Sequence, residues 1–73
     1  MESKEERFVR IAEARTNKII SMIRLLGNCS NKGNYSYTDE EIRKIFNAIE
    51  TELKIAKGKF IDAEMTGKKF TLR

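Results

Sequence analysis

Cys29, Ser30, Lys32 and Gly33 lie within one short stretch, and their types come closest to a reactive or phosphate-holding set in this chain. The sequence has no histidine, so a Cys29 or Ser30 nucleophile lacks the commonest general base, and no carboxylate pair is set in a recognisable pocket. A reactive Cys29 thiolate would need a cation such as Lys32 beside it; a loop cysteine filling a small space against the helix ends is the plainer reading. Lys32-Gly33 also leads into the acidic run Asp39-Glu40-Glu41, which repels phosphate from the helix terminus that would otherwise attract it. One cysteine and no histidine leave no zinc, haem or iron–sulfur ligand set. The expectation is a non-enzymatic protein with no catalytic residue, no cofactor and no metal.

The remaining candidate chemistry is electrostatic. The net charge is +4, and it is spread unevenly. Residues 1–27 hold six bases against four acids, residues 38–65 hold an acidic excess, and Lys68, Lys69 and Arg73 make the end of the chain basic. At helical spacing Arg10, Asn17, Ser21 and Arg24 project in one column, with small Ala14 beside them and Arg7 and Lys18 at its edge. Arginine and asparagine donate in geometries that phosphates and base edges accept. Arg7, Arg10, Asn17, Lys18, Ser21 and Arg24 are therefore the expected nucleic-acid or partner-binding residues. A solvated basic face without a ligand explains the same column, because no helix-turn-helix, zinc finger or aromatic stacking platform accompanies it.

Two helices must position these residues. Ser3 followed by Glu6 has the capping-box spacing and starts a first helix near Lys4. Phe8, Val9, Ile11, Ala12, Ile19, Ile20, Met22, Ile23 and Leu26 fill an arc of roughly 180°, wider than the ~100° stripe of a helix resting on one core. Gly27 stands where a left-handed residue would close this helix, and the turn-forming residues of 28–34 come after it. Thr38 and Glu41 repeat the capping-box spacing, Tyr37 and Ile42 have the spacing of a hydrophobic staple, and Asp39, Glu40 and Glu41 oppose the positive end of the helix dipole. Ile42, Ile45, Phe46, Ile49, Leu53, Ala56 and Phe60 form the second stripe. Asp39 with Arg43, Glu40 with Lys44, and Glu50 with Lys54 mark its solvent face. This helix reaches about Met65 with Gly67 beyond its end, or else stops near Lys57.

The predicted organisation is a single all-α domain: helix 4–26, loop 27–37, helix 38–65 and an extended tail 66–73. The helices are expected to fold back as a two-helix antiparallel hairpin. One hairpin cannot cover the whole apolar arc of the first helix, and a domain of this size gains little stability from its own core. A homodimer forming a four-helix bundle covers it most simply; a monomer sheltered by its own tail is the alternative. The expected core or dimer residues are Phe8, Ile11, Ile19, Met22, Ile23, Leu26, Ile42, Phe46, Ile49, Leu53 and Phe60. Arg15 falls inside the apolar arc, so its guanidinium either snorkels to the rim or pairs with Glu52 or Glu64 across the bundle. In the tail, Phe70 and Leu72 share a side if extended, ready to dock, to add a strand elsewhere or to fray.

No signal peptide or membrane span is recognisable, since Ser21 and Arg24 break the longest apolar stretch, and the expectation is a cytoplasmic protein. The glycosylation patterns at Asn28 and Asn34 then read as hydrogen-bonding loop residues. The segments Arg7 to Asn17, Ile23 to Asn31 and Tyr35 to Thr38 together resemble short helical proteins carried by phages, plasmids and conjugative elements of Gram-positive bacteria. That resemblance implies an accessory protein that regulates nucleic-acid transactions or binds and blocks a host enzyme. It transfers no functional residue. The leading expectation is a dimeric regulator whose basic first helix contacts DNA or RNA; the alternative is a module that inhibits a host defence or nucleic-acid enzyme.

Overall fold

A computed structural model describes residues 1–67, with side chains described as far as residue 63. The chain divides into two units, residues 1–36 and 37–73, each built on one helix. Among the described residues there is no strand, and the protein is all-α.

The first unit holds α1, Lys4–Gly27, followed by a single 3-10 turn over Asn28–Ser30. The Ser3 capping box closes as the sequence predicts. The Glu6 amide donates to Ser3 Oγ at 3.1 Å, and the Ser3 amide donates to Glu6 Oε1 at 2.9 Å. These two bonds satisfy amides that the first turn leaves without helical partners. The C-terminal end differs from expectation. Gly27 keeps right-handed helical angles (φ −58°, ψ −31°), and no described residue has a positive φ. The chain instead tightens into the 3-10 turn, and the Asn28 amide is shared among the carbonyls of Arg24, Leu25 and Leu26. The terminal carbonyls are thus satisfied without a left-handed residue. Asn31 organises the next turn: its Oδ1 accepts from the Gly33 amide at 2.9 Å, and its carbonyl accepts from the amides of Asn34 and Tyr35. This is the side-chain-stabilised turn that asparagine favours.

The second unit holds α2, Asp39–Gly67. Thr38 caps it in both directions: the Glu41 amide donates to Thr38 Oγ1 at 3.1 Å, and the Thr38 amide donates to Glu41 Oε1 at 2.8 Å. Tyr37 and Ile42, the staple pair, are both half-buried. Of the three acid-base pairs at four-residue spacing, Glu40 and Lys44 form an ion pair at 3.6 Å. The helix runs through Gly58 and includes Thr66 and Gly67, which corrects both the end near Met65 and the tail beginning at 66. The remainder of the proposed tail, with Phe70 and Leu72, lies outside the described residues, as does the side chain of Glu64. At 1.5 Å per residue α1 and α2 are about 36 and 44 Å long.

Each helix has an apolar face open to solvent. No described residue is buried. Of the residues expected in the core or dimer, Ile11, Leu26, Ile42 and Ile49 are half-buried. Phe8, Ile19, Met22, Ile23, Phe46, Leu53 and Phe60 are exposed, with Met22 at 62% and Phe60 at 64%. Off the stripe, Ile55 and Ile61 on α2 and Leu25 on α1 are exposed as well. No helix among the described residues is long and apolar enough to cross a membrane.

Candidate nucleic-acid interface

Helical spacing brings Arg7, Arg10, Asn17, Lys18, Ser21 and Arg24 onto one side of α1, and all six are exposed. The structure divides this column into two halves. At its N-terminal end Glu2, which precedes the helix, reaches forward and takes Arg10 in a bidentate pair. Arg10 Nε donates to Glu2 Oε2 at 2.7 Å, and Nη2 donates to Oε1 at 3.0 Å. Arg7 Nε lies 3.9 Å from the same carboxylate. Two parallel N–H···O bonds between guanidinium and carboxylate are the strong form of this contact. Arg10 accordingly holds the Glu2 carboxyl below its ordinary pKa, against a small opposing effect of desolvation, while Glu2 raises that of Arg10.

At the C-terminal end nothing comparable occurs. Among the described residues Lys18 and Arg24 form no ion pair, and neither does Arg15. Ser21 lies between the two cations and Asn17 precedes Lys18, so hydrogen-bonding groups accompany both. The part of the column with uncommitted positive charge is therefore Asn17 to Arg24, shorter than the sequence suggests. Beside Arg10 the surface is also less basic than the column implies: a shallow hollow there is lined by Glu5, Glu6, Val9 and Glu13 together with Arg10. The Glu6 carboxylate in it is committed to Ser3, whose backbone and side-chain hydrogen bonds lower its pKa.

Glu2 is the residue that the column argument missed. A readable signal exists nonetheless. With Ser3 as N-cap, Glu2 is the preceding residue and Arg7 is the fourth helical one, the same pair of positions that a hydrophobic staple joins. Arg10 lies one turn further along that face. Charged residues at staple positions satisfy the same geometry with an ion pair.

Cys29 is exposed and unpaired by disulfide, with its Sγ 4.0 Å from the Leu25 carbonyl oxygen, rather than fitted into a space at the helix end. Among the described residues no cluster of three metal-ligating side chains is present. No protein-family model, curated protein or solved structure matches the chain.

Proposed function

We propose that this protein is a small non-enzymatic accessory protein of a mobile element that acts by binding, with the Asn17–Arg24 half of α1 contacting the backbone of DNA or RNA. The observation carrying this reading is that Lys18 and Arg24 stand exposed without carboxylate partners among the described residues, flanked by donors at Asn17 and Ser21. Phosphate contacts of this kind set position and affinity rather than sequence preference. In the proposed assembly α1 and α2 close as an antiparallel hairpin, and two copies pair their open apolar faces in a four-helix bundle. A two-fold axis then doubles the cationic half-column. The mobile-element context rests on the segment resemblance alone.

Salt titration tests the contact. Wild-type protein should retard a DNA duplex or an RNA at low salt, with affinity falling steeply as salt rises because bound counterions are released. Replacing Lys18 and Arg24 with glutamine should weaken binding uniformly across sequences and reduce the log–log salt slope by about one for each phosphate contact removed. No retardation of duplex, single strand or RNA at low salt would refute the reading. The Glu2 pairing, which occupies Arg10 in the unbound protein and leaves less free positive charge on α1, favours the second reading: a module that docks its apolar helix faces on a host enzyme and inhibits it.

A further inference from the structure

Resting on the nucleic-acid reading, we infer that Arg7 and Arg10 form a second phosphodiester-binding site whose occupant in the unbound protein is the chain's own Glu2 carboxylate. The geometry is that of a competitor. A carboxylate and a phosphodiester both present two oxygens to a guanidinium fork, and Glu2 takes the Nε–Nη2 edge of Arg10 at 2.7 and 3.0 Å while lying 3.9 Å from Arg7 Nε. Glu2 is carried on the residues preceding α1, not on the helix itself, so it can leave without unwinding a turn. The Ser3–Glu6 box, which starts the helix, uses neither Glu2 nor Arg10.

Release is also cheap. Both side chains are solvated, 33% exposed for Glu2 and 63% for Arg10, and ion pairs in that setting are weak and screened by salt. A phosphodiester arriving on the Asn17–Arg24 half-column would be held beside Arg10 at high effective concentration and could displace Glu2. The short basic half-column then extends toward the N-terminus, and the contact lengthens only when nucleic acid is bound. Glu5, Glu6 and Glu13, which line the hollow beside Arg10, oppose phosphate in the bound and unbound states alike.

The test tracks the arginine Nε–Hε NMR resonances of wild type, Glu2→Gln and Glu5→Gln during titration with one short DNA duplex. Glu5→Gln makes the same charge change at a residue with no ion pair among the described residues. In Glu2→Gln the Arg10 resonance should move saturably, at a duplex concentration lower than in wild type by about two- to five-fold, the factor by which a solvated ion pair competes. Glu5→Gln should behave closer to wild type. An unmoved Arg10 resonance in Glu2→Gln, equal midpoints in Glu2→Gln and wild type, or an equal gain in Glu5→Gln overturns the inference. The Arg24 resonance separates the two proposals: if it responds to duplex while Arg10 does not, the half-column binds and the Glu2 site is wrong. If neither responds in any variant, both fall.

Discussion

Single residues set the boundaries of both helices, and the carboxylate of Glu6 shows how. It accepts from the Ser3 amide, an interaction open only to its ionised form at full strength, and its pKa is lowered in consequence. A folded-state pKa below the unfolded one means that the helix gains from ionisation. The gain is complete above about pH 4.3, the unfolded glutamate value, and is lost as pH falls through the lower folded value. Circular dichroism from pH 7 to pH 2 should therefore show α1 losing helicity only below that point. Glu6→Gln, which keeps an acceptor but no charge, should flatten this part of the curve. An unchanged curve in Glu6→Gln would mean that the box contributes nothing through its charge. Glu2 titrates in the same direction through Arg10, so Glu2→Gln isolates its share.

At the scale of elements, the two starts were legible because a cap is a local device: Ser3 with Glu6 and Thr38 with Glu41 need only a single turn of helix to meet. The ends were less so. A glycine is compatible with a left-handed cap but does not require one, and at Gly27 the chain satisfies its carbonyls by tightening into a 3-10 turn. The basic column was legible as a face, whereas the Glu2 carboxylate that pairs with Arg10 was not, since helical projection treats every position as equally solvated and ignores residues outside the helix. Gly58 extends the same lesson. It breaks neither helix nor backbone geometry, and a methyl group built on it meets no atom within 4 Å. With nothing to clash and less unfolded-state freedom to lose, Gly58→Ala should stabilise α2 by about 0.5–1 kcal/mol, read as a higher thermal midpoint. A lower midpoint would point to a neighbour pressed against that spot in the assembled protein.

For the molecule as a whole, the governing fact is exposed apolar area: Ile19, Met22 and Ile23 on α1 and Phe46 and Leu53 on α2 are all exposed in the single chain. Neither helix buries its apolar face by itself, and leaving such a face in water is costly. Met22 makes the argument testable because it is 62% exposed in one chain. If that exposure were its final state, Met22→Glu would exchange one solvated side chain for another with little effect on stability or mass. If Met22 meets a second copy, the same substitution places an unpaired charge in an apolar contact, where desolvation strongly disfavours it. Wild type should then sediment at twice the 8.5 kDa chain mass at micromolar concentration, and Met22→Glu should sediment as one chain with a lowered thermal midpoint. Arg15→Met supplies the converse case. A guanidinium that merely snorkels to the rim gives way to methionine without loss of the dimer, whereas one that holds register through a carboxylate across the bundle does not. Wild type sedimenting as a single chain, or Met22→Glu retaining the doubled mass, would remove the bundle, and with it the doubling of the cationic half-column in the proposed nucleic-acid contact.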